Sequence, residues 1–247
     1  MVGGGRYFSS HPFLPDEIKK LPVCGDWRGL SRERILSLSP DLIIGGRNLE
    51  DEREFFKRHG IEVFVFSPES LPELIHLIGE LGKILGKERR AETLCSYMED
   101  AIGRVKKMVE GKGRPVVYLA GSDPMRTFGK GSAWGSLIEI AGGKNPAEIF
   151  SIPWPKISPE VLLSWNPDCI LIVPFASYGP EYFLERREFR VIKAVKEKRI
   201  HKLSPYLSWS PSLVLSLFEI ANYIHPEVEV NLEKERKELE EITGISY

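Results

Sequence analysis

The chain has 247 residues, of which 42% are hydrophobic and 28% are charged. This composition supports one large domain or two smaller ones with packed cores, and it excludes a disordered chain. Lys and Arg number 34 against 35 Asp and Glu, so the net charge is −1 and the basic surplus typical of nucleic-acid binding is absent. The longest apolar runs, such as Cys169–Ala176, are too short to cross a bilayer.

Short apolar strands alternate with helices along the chain, which predicts an α/β fold with mainly parallel sheets. The predicted strands are Leu42–Gly45, Glu62–Phe66, Pro115–Ala120, Cys169–Val173 and Arg199–Leu203. The predicted helices are Arg32–Leu38, Leu49–Arg58, Leu71–Leu85, Arg89–Glu110, Ala133–Ala141, Pro159–Ser164, Glu181–Ala194 and Pro211–Ile224, followed by a polar helical tail, Glu227–Ile242.

The predicted helix Arg89–Glu110 lies near the middle of the chain. Its apolar residues fall at spacings of three and four, which form one helical stripe, and its length would be about 33 Å. We interpret it as a rod at residues 88–111 that bridges two Rossmann-like lobes, residues 1–87 and 112–247. An ordinary long helix packed on a single sheet is the alternative.

An internal repeat supports two lobes. Residues 27–43 and 154–170 align at a constant offset of 127 with eight of seventeen positions identical. Each copy has a Ser that can cap a short helix, a Glu at the second helical position, and a Pro-Asp pair before an apolar strand. The repeat therefore predicts the same helix and strand in both halves.

Two pairs of residues in the repeat carry functional interpretations. Glu33 and Glu160 are either helix-start residues favoured by the helix dipole, or matched acidic points for a symmetric partner with basic sockets. Trp27 and Trp154 each precede the capping Ser by four residues. They either pack separately or form two walls of one cleft.

Further aromatic and cationic residues follow the predicted strands, where open α/β sheets bind ligands. They are Arg47, Arg126, Phe128, Tyr178, Tyr206 and Trp209. The five histidines show no HxxxH or HxH spacing, and no nucleotide-binding loop or nucleophile elbow occurs. The sequence therefore predicts neither a bare metal site nor a catalytic apparatus.

The sequence resembles the substrate-binding proteins of ABC importers for iron–siderophore, haem or cobalamin complexes, over Val2 to about Glu227. The most specific segments are Glu33–Ile44, Leu71–Ala91, Gly131–Asn145, Ile157–Ile172 and Val191–Leu203. The resemblance implies two α/β lobes joined by a long helix, with the ligand held in the cleft. It also implies that Glu33 and Glu160 meet arginines of the ABC permease dimer.

Cobalamin-binding members of the family are similar to this chain at Tyr7, Trp27 and Trp154, which line their cleft. The segment Ser204–Ser210 lacks the acidic and basic cleft residues expected of them. An iron chelate or haem therefore stays equally open as the ligand.

The start of the chain gives two conflicting expectations. Met1–Gly5 has no basic or apolar region of a signal peptide, which by itself predicts a cytoplasmic protein. The resemblance implies a periplasmic or extracytoplasmic protein, membrane-anchored in its full-length form, whose first strand and helix are missing ahead of Val2. The N-terminal lobe would then have an open apolar sheet edge, which is either a liability for solubility or a cause of dimerisation through this lobe.

We therefore expect a binding protein without catalysis or a cofactor, which delivers a ferric siderophore, haem or corrinoid to an ABC permease. Arg47 and Arg126 would neutralise an anionic ligand. The aromatic surface would come from Tyr7, Trp27, Phe128, Trp154 and Trp209. A cytoplasmic enzyme or chelatase, a truncated sensor or interaction module, and a free-metal binder are the alternatives.

Overall fold

The computed structural model describes residues 1–10, 13–26, 28–206 and 210–247, excluding the side chains of Tyr7 and Ser10. The described residues form two compact units, one of residues 1–67 with 244–247 and the other of residues 68–243. The α/β fold with mainly parallel sheets is confirmed. The three-part division of the chain at residues 87 and 111 stays a prediction.

The first unit is built from short elements. In chain order they are β1 (Gly4–Gly5), α1 (Asp16–Lys19), β2 (Val23–Asp26), β3 (Gly29–Leu30), α2 (Arg32–Ser37), β4 (Leu42–Gly45), α3 (Arg53–Arg58) and β5 (Glu62–Val65), with 3₁₀ turns at Arg6–Ser10 and Arg47–Leu49. β2 pairs in parallel with β1 and antiparallel with β3, while β4 and β5 form a separate parallel pair. Ile35, Phe56 and Ile61 form the buried centre of this unit.

The second unit is larger and contains the long helices. Its elements are α4 (Leu71–Ile84), α5 (Glu88–Val109), β6 (Val117–Ala120), α6 (Ala133–Ile140), α7 (Pro159–Trp165), β7 (Cys169–Ile172), α8 (Glu181–Leu184), α9 (Lys193–Lys196), β8 (Ile200–Lys202), α10 (Leu213–Ile224) and α11 (Leu232–Thr243), with 3₁₀ turns at Pro146–Ile149 and Arg187–Val191. The strands form one parallel sheet in the order β6-β7-β8.

Two strands of the sheet in the second unit, β6 and β7, are surrounded by apolar residues. Every residue of β6 and β7 is buried, as expected for parallel strands covered on both faces. α10 is buried along most of its length and packs against α5, α6, α11 and β7. This packing fixes the strand ends from which the loops of the unit emerge.

The predicted long helix is present as α5, with 22 residues. Its buried stripe includes Met98, Ala101 and Val105. α11 docks on it through the Tyr97 hydroxyl, which donates to the Glu235 carbonyl at 3.0 Å, and through an ion pair between Arg104 and Glu235. Within the second unit α5 is thus a packing surface for α4, α6, α10 and α11, and its function as a bridge stays a prediction.

The prediction of one helix over Glu181–Ala194 is wrong. Arg186 and Ile192 adopt extended conformations and divide the segment into α8, a 3₁₀ turn and α9. In a continuous α-helix the buried rings of Phe183 and Phe189 would point about 120° apart, and the breaks allow both to reach the core. The Asn166 side chain also accepts from the Lys193 backbone N–H at 2.8 Å, which fixes the start of α9.

The internal repeat is confirmed in local structure. β4 and β7 lie at positions 42–45 and 169–172, an offset of 127, and α2 and α7 begin at 32 and 159. The hydroxyls of Ser31 and Ser158 each accept from the backbone N–H three residues on. Ser39 and Asn166, also 127 apart, both have left-handed backbones with φ of 46° and 42°. The two halves thus share helix, turn and strand.

Asn166 provides a test of the turn between α7 and β7. We expect Asn166→Ala to lower the free energy of unfolding by about 2–3 kcal/mol, because alanine strains the left-handed backbone and loses the bond to Lys193. Asn166→Gly keeps the backbone conformation and should cost about 1 kcal/mol. Urea unfolding followed by circular dichroism measures both, and equal losses would show that the left-handed backbone contributes nothing.

Candidate functional site

The candidate site of the second unit lies at the carboxyl edge of its sheet. Because β6, β7 and β8 are parallel, the loops that follow them emerge at the same edge. The loop after β6 contains Arg126 and Phe128, the loop after β7 contains Tyr178, and the loop after β8 contains Tyr206. The structure therefore brings four of the predicted ligand residues to one edge.

The loop after β6 is stiffened by pairing with residues 153–157 into an antiparallel ribbon. Three backbone hydrogen bonds join the segments: Ile157 to Met125 at 2.9 Å, Thr127 to Pro155 at 2.9 Å and Gly129 to Pro153 at 3.1 Å, the first residue donating in each case. Pro153 and Pro155 lack N–H groups and contribute only carbonyl acceptors here. The ribbon is therefore compatible with two prolines in one of its strands.

Trp154 lies between the two prolines of the ribbon and is 54% exposed. The following proline restricts its backbone to extended conformations. Arg126 donates from its guanidinium to the Trp154 carbonyl at 3.0 Å, which adds a side-chain bond to the backbone pairing. The indole is thus exposed to solvent while its backbone is firmly held.

A chain of contacts connects the loop after β7 to the same ribbon. The Tyr178 hydroxyl donates to the Gly121 carbonyl at 2.6 Å, and the Gly121 N–H donates to the Arg126 carbonyl at 2.7 Å. Burial raises the pKa of Tyr178, so the phenol stays protonated and keeps this donor. The Tyr178 side chain is therefore held in place, and its contribution to ligand binding stays a prediction.

The remaining predicted residues of this edge are less exposed. Phe128 is only 5% exposed, and its ring packs near Trp134 with centroids 6.4 Å apart. Tyr206 is half-buried, and burial raises the pKa of its hydroxyl. The structure thus places Phe128 in the core, and the contribution of both residues to ligand binding stays a prediction.

Sequence reasoning missed two residues at this edge. Phe175 lies in the loop after β7 and is 57% exposed. It directly follows Pro174 at the end of an apolar strand, and this position could have predicted an aromatic loop residue. Lys202 donates from its ammonium group to the Ala176 carbonyl at 2.7 Å and so connects β8 to that loop. Exposed aromatic surface here therefore includes Phe175 as well as Trp154.

In the first unit, Arg47 follows β4 at the corresponding strand end. Its Nε donates to the Ser67 hydroxyl at 3.0 Å, and the residue is exposed. Trp27 and Trp209 lie outside the described residues, as does the side chain of Tyr7. The assignment of these three aromatic residues to a ligand site stays a prediction.

Glu33 and Glu160 occupy matched positions in the first turns of α2 and α7, and both are exposed. A hydrogen bond from the Ser158 hydroxyl lowers the pKa of the Glu160 carboxyl, and the backbone N–H of Glu160 itself lowers it further. Its negative charge is therefore kept over a wider pH range. The local geometry fits both of the interpretations given above.

In the part of the chain that the structure describes, no three or more His, Cys, Asp or Glu side chains are grouped so that they could hold a metal ion. Among the same residues, no helix has the length and apolarity that crossing a membrane requires.

Arg126→Ala tests whether Arg126 stiffens the ribbon. We expect the Thr127 and Gly129 amides to exchange with solvent about fivefold faster, because one hydrogen bond of roughly 1 kcal/mol is lost. Hydrogen exchange read by NMR measures the change. Lys130→Ala is the control, since Lys130 is exposed and the charge of its ammonium group acts on Glu148, outside the paired segments. Equal rates in both variants would contradict the assignment.

Comparisons with known proteins identify the family. The vitamin B12-binding protein of Salmonella paratyphi A is 28% identical over 167 residues, which are 66% of this chain and 63% of that protein. The matched part is thus less than two thirds of that relative's length.

Solved structures share the fold. Helicobacter pylori Ceue with Ni(II) bound has a TM-score of 0.85 at 22% identity, covering 98% of this chain and 82% of that one. The periplasmic heme-binding protein RhuT from Roseiflexus sp. RS-1, in apo form, has a TM-score of 0.72 at 25% identity, covering 87% of each chain. A family model described as periplasmic binding protein matches residues 2–207. Since that match covers most of the 247 residues, the chain belongs to the periplasmic binding protein family.

Proposed function

We propose that this chain is an extracytoplasmic substrate-binding protein that captures a metal–organic complex and delivers it to an ABC permease. The ligand is a corrinoid, a haem or a ferric siderophore. Family membership supports the binding class, because the relatives described above are named for what they bind.

The exposed indole of Trp154 is the observation that carries the proposal. A ring that is 54% exposed on a stiff ribbon leaves apolar surface in water, and a large organic ligand would cover it. Phe175, 57% exposed in the loop after β7, adds a second aromatic surface of this kind. Because the Trp154 backbone is already fixed, binding would cost little additional ordering.

The ligand class rests on shared chemistry. The similar proteins are named for vitamin B12 and for haem, which are both metal-containing macrocycles. Such rings bury a large area against aromatic side chains. They also carry carboxylate or amide groups that guanidinium donors recognise. Arg126 donates one of its five N–H groups to the Trp154 carbonyl, and its guanidinium can also donate to the ligand. We propose the same ligand-binding function for Arg47 in the first unit.

The permease is the proposed partner of Glu33 and Glu160. Both carboxylates are exposed and stand in helices that the repeat builds alike. Two equivalent acidic points would fix the orientation of a symmetric partner with basic sockets. The family model is described as a periplasmic binding protein, which supports a location outside the cytoplasmic membrane for this encounter.

A fluorescence titration tests the ligand class. We expect cyanocobalamin, haemin or a ferric hydroxamate to quench the tryptophan emission and bind with a 1:1 stoichiometry. Trp154→Ala should then weaken binding about 10- to 150-fold, because an aromatic contact of about 1.5–3 kcal/mol is lost. Trp165→Phe is the matched control, since Trp165 packs against Tyr118 and Phe150 within the unit. Failure of all three probes to bind the wild-type chain would refute the proposal.

Charge reversal tests the permease contact. We expect Glu33→Arg with Glu160→Arg to abolish ligand uptake through the cognate permease in proteoliposomes, while ligand affinity stays within about threefold. Glu54→Arg with Glu197→Arg is the control, because these carboxylates are also exposed and are not matched by the repeat. If both double variants transport normally, the docking function of Glu33 and Glu160 is wrong.

A further inference from the structure

Glu219 is a buried carboxylate that the proposed function does not use. It lies in α10, whose other buried residues are apolar apart from Ser216, and it is 3% exposed. A charge in such a place is unfavourable unless donors surround it. The donors of Glu219 therefore show what this residue does.

Three groups donate to the Glu219 carboxylate, and two of them belong to Ser204. The Ser204 backbone N–H lies 3.0 and 3.2 Å from the two oxygens, and the Ser204 hydroxyl donates at 2.9 Å. The Tyr223 hydroxyl makes a longer contact of 3.4 Å from the same helix. One carboxylate thus satisfies both the backbone and the side chain of Ser204.

Ser204 is the point at which the chain leaves the sheet. The preceding residue, Leu203, still donates to the Ile172 carbonyl at 2.9 Å, in continuation of the pairing between β8 and β7. Two residues on, the Tyr206 N–H donates to the Ser204 carbonyl at 2.7 Å. The carboxylate therefore holds the first turn of the loop that positions Tyr206 at the carboxyl edge.

We propose that Glu219 is a positioning residue for ligand binding, which anchors the loop after β8 through Ser204. The inference rests on the proposed function, because Tyr206 is one of the ligand residues predicted from the sequence. Glu219 itself lies beneath the loop and acts through Ser204.

The surroundings of Glu219 contain other titratable groups, and each has its own partner. Tyr223 is stacked on His201 from β8, with ring centroids 4.1 Å apart. Arg104 from α5 pairs with Glu235 of α11. The charged α11 residues near Tyr206 are Arg236, Glu233 and Glu240, which pair with one another. No cation contributes to the pKa of Glu219.

The anchor should therefore depend on pH. Burial raises the pKa of Glu219, and the donors from Ser204 offset only part of this effect. Once protonated, the carboxyl becomes a donor at one oxygen and can no longer accept from Ser204 at both. The loop is held at a pH above this raised pKa and is released as the pH falls through it. The free energy of unfolding, in contrast, rises as the pH falls through this range, because the folded state binds the proton more tightly than the unfolded chain does.

Glu219→Gln is the direct test, because it removes the negative charge and leaves one acceptor oxygen in place of two for the Ser204 N–H and hydroxyl. We expect the Ser204 and Tyr206 amides to exchange at least about tenfold faster in this variant at pH 7.5, as measured by NMR. Ser204→Ala removes one donor and should give a smaller increase. Tyr223→Phe, which removes only the longest contact, is the control and should change little.

Ligand affinity and thermal stability give the readouts that separate positioning from a general structural role. With cyanocobalamin as the probe, the wild-type Kd should rise about tenfold as the pH falls through the raised pKa of Glu219, and Glu219→Gln should bind weakly on both sides of it. The melting temperature of Glu219→Gln should be unchanged or higher at pH 7.5, because a buried charge is removed. A lower melting temperature together with weaker binding would instead indicate a structural role.

The exchange measurement needs no ligand, so it keeps this inference separate from the proposed function. If the wild-type chain binds no probe and the Ser204 amide is still released in Glu219→Gln, the proposed function fails and the anchor stands. Unchanged exchange in Glu219→Gln overturns the anchor. Faster exchange with unchanged cyanocobalamin affinity overturns its function in ligand binding.

Discussion

The parallel pairing of β6, β7 and β8, with β6 and β7 fully buried, determines how the second unit is built. Parallel strands covered on both faces must be apolar along their length, and Val117–Ala120 and Cys169–Ile172 are. The pairing also forces three loops to emerge at one edge. The loops that follow the strands contain polar and aromatic residues, and they lie at the edge where open α/β sheets bind ligands.

Each of these loops is restrained by a different group. The loop after β6 is paired with the segment around Trp154, the loop after β7 is held by Tyr178 and Lys202, and the loop after β8 is held by Glu219. Most of these bonds end on backbone atoms, so they fix the course of the chain while leaving Trp154 and Phe175 exposed. A surface arranged in this way loses little conformational entropy when a ligand binds.

Much of the architecture could be predicted from the sequence, since all five predicted strands are present and the repeat reproduces helix, turn and strand at an offset of 127. β1, β2 and β3 were not predicted, because β1 and β3 have only two residues each and β2 has only two apolar residues, Val23 and Cys24. The second break in the predicted helix over Glu181–Ala194 involves the bond from Lys193 to Asn166, which lies far away in sequence. The ribbon that presents Trp154 and the bond from Glu219 to Ser204 are also contacts between distant segments. A Glu within the apolar run of α10 was nevertheless a visible signal.

We propose that the aromatic surface at the carboxyl edge binds the ligand. A crystal structure of the chain with whichever of cyanocobalamin, haemin or ferric hydroxamate binds would show this contact. We expect the ligand to cover the Trp154 indole while the Arg126 guanidinium remains on the Trp154 carbonyl. A complex in which the ligand lies elsewhere and Trp154 stays in solvent would contradict the account.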